Sequence, residues 1–116
     1  MAGDLTVNSI PVTIASGASL SGIVDLGPLR AFGVLMPASW TTANLTLQAS
    51  ADGVNFYNVY DDSGAEVTIT VAASQYVILA SPAKMLGLRW IKVRSGTSGS
   101  AVNQGADRTM NIIGVP

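Results

Sequence analysis

Apolar and polar residues alternate with a period of two over much of the chain, and no stretch sustains a helical period. Leu45-Thr46-Leu47-Gln48-Ala49 places Leu45, Leu47 and Ala49 on one face and Thr46 and Gln48 on the other. Val67-Thr68-Ile69-Thr70-Val71 alternates more cleanly, in β-branched residues that suit a pleated, half-buried surface. The same pattern predicts strands over residues 12–15, 20–26, 31–35, 56–60, 76–79, 88–94 and 108–113. Gly22 marks a bulge or a close backbone approach within the 20–26 segment.

Turn chemistry separates these segments. Ala51-Asp52-Gly53 suits a tight reversal, since glycine accepts the positive φ such a turn requires. Asp61-Asp62-Ser63-Gly64 does the same between Tyr60 and Val67. Pro37 closes the 31–35 strand and turns the chain toward Trp40. Residues 81–87 form the best helical candidate, a single turn with Pro82 at its start and Gly87 as its stop. Eight or nine short strands about 10 residues apart predict an all-β, single-domain antiparallel β-sandwich of jelly-roll type, with a barrel as the other closed solution. Two segments look loosely held: residues 1–10, an N-terminal arm, and residues 95–107, a loop opened by a Gly/Ser run. Long loops are often where contacts are made.

Composition narrows the chemistry. The 116 residues allow one domain, and the absence of cysteine and histidine removes disulfides, thiolates, imidazole bases and the commonest metal ligands. No enzyme activity and no cofactor are expected. Charged residues make up only 11% of the chain, about half the usual share. Mean hydropathy is +0.42, yet no apolar run approaches the roughly 20 residues that span a bilayer, so no membrane partner is expected. Met1-Ala2-Gly3-Asp4 lacks the basic-then-apolar pattern of a signal peptide. Either part of the surface is covered in copies of the chain or a larger assembly, or the surface is simply rich in Ser, Thr and Asn. A net charge of −1 gives no support to nucleic-acid binding, which needs clustered Lys and Arg. Arg89, Lys92 and Arg94 read instead as charges at the solvated edge of a strand.

Asp61, Asp62 and Glu66 around Gly64 are hard oxygen ligands at close spacing, but they lack the ordered pattern of a calcium loop, and a turn explains them. Asp52 with Asp61 or Asp62 would need to face each other across a cleft to act as a glycosidase pair, and each sits in a turn signature. Asn44-Leu45-Thr46 matches a glycosylation sequon, which means little without a secretory signal. Most of the aromatic residues, Phe32, Trp40, Phe56, Tyr57, Tyr60, Tyr76 and Trp90, should fill the core. Phe56 and Tyr60 share one face of a strand and Tyr57 the other, so at least one ring faces outward and could stack on a sugar.

Several stretches carry a family resemblance: residues 13–21 leading into Val24-Asp25-Leu26-Gly27, Met36-Pro37-Ala38-Ser39-Trp40-Thr41, residues 45–53, residues 60–67, and Ile91-Lys92-Val93-Arg94-Ser95-Gly96-Thr97. Their order resembles small virion proteins encoded by tailed bacteriophages and prophages. The resemblance covers most of the chain, and its motifs are structural. It implies a non-enzymatic particle protein that decorates or cements the capsid shell, with the major capsid protein and further copies of itself as partners. The implied location is the phage head, assembled in the bacterial host cytoplasm. Residues 47–59, followed later by Leu88-Arg89-Trp90-Ile91-Lys92-Val93, are also similar to discoidin-type carbohydrate-binding jelly rolls. That likeness implies a glycan-binding module on a head or tail appendage as the alternative, and a minor tail or baseplate component is a third. The expected partner contacts are Leu5, Val7 and Ile10 in the arm, Thr97, Val102 and Gln104 in the loop, and Trp40 and Trp90 as aromatic anchors.

Overall fold

The computed structural model describes residues 7–116. In chain order the strands are β1 (Asn8–Ile14), β2 (Val24–Asp25), β3 (Arg30–Leu35), β4 (Leu45–Ser50), β5 (Tyr57–Asn58), β6 (Thr68–Ile69), β7 (Tyr76–Ile78), β8 (Trp90–Ser95) and β9 (Arg108–Val115). Every strand pairing is antiparallel. One sheet has the order β1-β9-β3-β7 and the other β2-β8-β4-β5, with β6 also beside β4. β5 and β6 occupy successive stretches of the same β4 edge, Tyr57 and Asn58 opposite Ala49 and Gln48, then Thr68 and Ile69 opposite Thr46 and Leu45. Taken as one interrupted strand, they leave eight strands in which every successive connection crosses between the sheets except that from β4 to β5, which is the order of a jelly roll.

The inward residues of the two sheets form the core expected from the alternation. Val12, Ile14, Val34, Met110 and Ile112 come from one sheet, and Leu45, Leu47, Ile91 and Val93 from the other. Each such aliphatic side chain contributes about 1.5–3 kcal/mol by leaving water. The turn expected at residues 81–87 is a single 3₁₀ turn, Pro82–Met85, which drops Met85 into the core. Gly53 has φ +79°, as the Asp-Gly reversal requires.

Three expectations are corrected. Asn8 to Ile10, placed in a loose arm, belong to β1 and pair with Gly114 to Ile112. Their partners lie about a hundred positions away, so the short local pattern could not reveal them. The 20–26 segment narrows to a ladder at Val24–Asp25 and a bridge from Leu20 to Arg94. Between them Ser21 exchanges bonds with Val93, its N–H donating to the Val93 carbonyl at 2.8 Å and its Oγ accepting from the Val93 N–H at 2.9 Å. The 95–107 loop is tied down: Gly96 bridges Ala101, the Val102 N–H donates to Ser95 O (2.9 Å), and Gln104 exchanges main-chain bonds with Ala18 and Gly17. Gly96 is required there, because at φ +89° an added Cβ would sit 2.5 Å from Ser100 O.

Candidate functional site

The outward residues of the β2-β8-β4-β5 sheet carry most of the protein's ordered polar chemistry. Arg94, expected at a solvated strand edge, is only 7% exposed. Its Nη2 donates to Asn58 Oδ1 (2.6 Å), and its Nη1 approaches Thr46 Oγ1 (3.3 Å) and Glu66 Oε2 (3.4 Å). The Thr46 hydroxyl donates to Gly96 O (2.7 Å), and the Ser98 N–H donates to Glu66 Oε1 (3.1 Å). Residues 96–101 therefore fold over the sheet and bury the guanidinium. The signal for this burial is the approach of Glu66 and of the Gly96 turn, which no local pattern encodes.

Farther along the same face, the Arg89 guanidinium stacks over the Trp90 ring at 4.4 Å and Lys92 lies 4.7 Å from the Phe56 ring. Gly53 packs against the Trp90 indole, where an added Cβ would meet the ring at 3.3 Å. Arg89 also pairs with Asp25 (3.0 Å), and this hydrogen bond holds the Asp25 carboxyl below its usual range. Tyr57 is 71% exposed, and Tyr60, 53% exposed, has its hydroxyl 3.5 Å from Ser98 Oγ.

Asp52 is occupied within its own loop, and Asp61 by its loop and by Lys84. Asp52 Oδ1 accepts from the N–H groups of Asn55 and Val54 and from the Ser50 hydroxyl, and Oδ2 from the Asn55 amide. Asp61 accepts from the Ser63 hydroxyl (2.6 Å), from Lys84 (3.2 Å) and from the N–H groups of Ala65 and Ser63. Among the described residues no three His, Cys, Asp or Glu side chains cluster to hold a metal ion. A cleft of about 290 Å³ runs between the Asp61–Lys84 pair and an apolar floor of Val67, Ile69, Leu79 and Met85. Asp61 and Lys84 on its wall are engaged with each other, and Glu66 with Arg94.

These hydrogen bonds depress both carboxyls, the Asn55 N–H chiefly at Asp52 and the Ser63 hydroxyl chiefly at Asp61. A depressed carboxyl contributes stability that is fully present above the ordinary value of 3.8 and is lost as pH falls below it toward the folded value. The Asp52→Asn/Asp61→Asn variant should therefore have a lower urea midpoint than the parent at pH 7. The two should converge between pH 4 and pH 2; a constant gap across that range would contradict the charge-based account.

The outer face of the β1-β9-β3-β7 sheet is different. By register its outward residues include Pro11 and Thr13, Thr109, Asn111 and Ile113, Gly33 and Leu35, and Tyr76 and Ile78. Among the described residues the one charged side chain on this face is Arg30, at its corner, where the guanidinium donates to Pro116 O (2.6 Å). Leu35 is exposed, Tyr76 is 54% exposed and Ile78 69%. The Tyr76 ring lies by Gly33, and Ile113 is buried on this side without joining the core. The parity of Leu35, Tyr76 and Ile78 in their strands could have marked this face.

The expected contact residues do not converge. Leu5 lies outside the described residues. Val7 is exposed just before β1, while Ile10 is half-buried against the core. Val7 adjoins the Asn8–Gly114 end of β1, whereas the 95–107 loop closes the Ile14–Arg108 end, about 20 Å away along the strand. Thr97 and Val102 are half-buried in that loop. Trp40 is half-buried against the core, its Nε1–H donating to Ala43 O (3.0 Å), and Trp90 is half-buried beneath its partners. Gln104 is enclosed. At 1% exposure its side chain is an internal brace, spent on Thr41, Ser95 and Arg108.

The fold and these faces define a small jelly-roll sandwich with two outer faces of opposite character. No family model matches the chain, and no curated protein matches it in sequence. Among solved structures it is similar to the crystal structure of the SPBc2 prophage-derived protein YomS, with a TM-score of 0.52 and 15% identity over 96% of each chain. At that identity the likeness is one of fold.

Proposed function

We propose that this is a non-enzymatic structural protein of a tailed-phage particle, and specifically a cement or decoration protein of the head. The observation that carries this reading is the nearly uncharged outer face of the β1-β9-β3-β7 sheet, which exposes Leu35, Tyr76 and Ile78 on a continuous antiparallel sheet. Such a face loses little on desolvation and gains by being covered. The prophage origin of the similar fold and the order of the sequence motifs support the same reading. In this role each copy bridges neighbouring capsid subunits, and repetition on a symmetric shell multiplies modest contacts.

The purified protein, added to capsids of its phage that lack it, should bind in hundreds of copies and raise the temperature at which the shells rupture. A handful of copies confined to the tail or to one vertex would overturn the head assignment. A second reading, glycan binding, is favoured by the exposed rings of Tyr57 and Tyr60. Saturable binding on a glycan array that Tyr57→Ala abolishes would support it over the purely structural role.

A further inference from the structure

Three of the four sheet edges among the described residues are blunted against strand addition. β1 carries Pro11, which has no N–H to offer. β2 is two residues long and bears Asp25, which is paired with Arg89. On the far side of β4, β5 and β6 have two residues each, and the turn around Asp61 interrupts them. β7 has none of these protections. Residues 75–80 contain no proline and no charge.

The free main-chain groups on β7 can be assigned. The Met36 N–H donates to Gln75 O (2.8 Å) and the Leu79 N–H to Phe32 O (2.9 Å), while Val77 lies opposite Val34. Residues 75, 77 and 79 therefore face β3, and the alternation of an antiparallel ladder turns the N–H and C=O of Tyr76 and Ile78 outward. These are the residues whose side chains stand on the uncharged outer face.

From this geometry we infer that β7 is a self-pairing edge and that its partner is β7 of a second copy, antiparallel about a two-fold axis through Val77. In that register Tyr76 faces Ile78 of the partner subunit and the reverse. Each pair exchanges two N–H···O=C bonds, so four outward donors meet four outward acceptors. The side chains brought together are an aromatic and a β-branched residue, a favourable cross-strand pair. The arrangement is isologous, as a two-fold interface must be. It joins two four-stranded sheets into one of eight strands and doubles the uncharged face. No charge of either copy opposes a like charge along β7 itself. The apolar area contributed by Leu35, Tyr76 and Ile78 is roughly a few hundred Å² per copy, which places the contact among small, reversible interfaces. The pairing stands on edge geometry and is independent of the capsid reading.

Sedimentation velocity between about 10 μM and about 1 mM is expected to show a monomer–dimer equilibrium, with a Kd on the order of 100 μM. Ile78→Pro removes only an outward N–H, which an edge strand tolerates, and should leave a folded monomer across this range. Ile78→Lys should do the same by charge repulsion. The chain has no native cysteine, so Val77→Cys reports the register directly. Non-hydrogen-bonded partners have Cα atoms about 4.5 Å apart, within disulfide reach. Val77→Cys should cross-link under mild oxidation, and Leu86→Cys, exposed but off the strand, should not. A parent protein that stays monomeric at about 1 mM, or a dimer that survives both Ile78 substitutions, would overturn the proposal. A parent protein that shows no dimer but is still taken up by capsids would remove this inference and leave the cement reading standing.

Discussion

Gln104→Ala is expected to lower stability by about 3 kcal/mol, a fall in melting temperature of about 12 °C for a domain of this size. The carboxamide uses both donors and both acceptors. Nε2 donates to Ser95 Oγ (2.8 Å) and Thr41 O (3.0 Å), while Oε1 accepts from the Thr41 N–H (2.9 Å) and Arg108 Nε (3.3 Å). One side chain thus joins the 95–107 loop, the segment before β4, the end of β8 and the start of β9. Truncation leaves the Thr41 main chain and the buried Ser95 hydroxyl without partners and opens a gap where water is poorly placed to replace them. Asn103→Ala, one position away and exposed, should change stability by less than about 0.5 kcal/mol. Thermal melts of the two variants make the comparison, and equal effects would refute the brace.

Arg94→Ala should cost about 3–4 kcal/mol, because removing one member of a buried pair strands the other. Glu66 would keep the Ser98 N–H but lose its counter-charge, and Asn58 Oδ1 would lose its closest donor. The Arg94→Met/Glu66→Gln double variant keeps the stem's packing and removes both charges. Its loss should fall short of the summed single losses by at least about 1 kcal/mol. Guanidinium denaturation of the parent, Arg94→Met, Glu66→Gln and the double variant measures that coupling. A loss below about 1 kcal/mol for Arg94→Ala would mean that water or another donor takes over the network.

Most of the fold is legible in the alternation. All nine strands lie within or across the predicted segments, because one face of each sheet is buried and a period of two records that burial. Pairing is less legible. Val67 to Val71 alternates most cleanly, yet only Thr68 and Ile69 join a ladder. Val67 and Val71 are buried by the core, while β4's edge is shared with β5 and leaves room for only two partners. The polar network was hidden for a different reason. Thr46 and Arg94 point outward by parity and are buried because the turn at Gly96 folds over them, a tertiary event with no local signature. Gln104 is expected as a contact because it lies in a long loop opened by a Gly/Ser run, and its burial becomes visible only with Thr41 and Ser95 around it. The uncharged face was within reach of the sequence. Leu35, Tyr76 and Ile78 break the rule that outward strand positions are polar, and such breaks point to surfaces that meet something.

β9, which is the last strand and lies between β1 and β3, has a consequence for synthesis. A nascent chain halted before Arg108 lacks Met110 and Ile112 from its core and has nothing to hold Asn8–Ile14 to the rest of the sheet. No stable half-domain can accumulate on the ribosome, because closure waits for residues 108–115 to clear the exit tunnel. Truncated copies would stay unfolded and open to proteases. This order of folding acts as quality control on each copy of the chain.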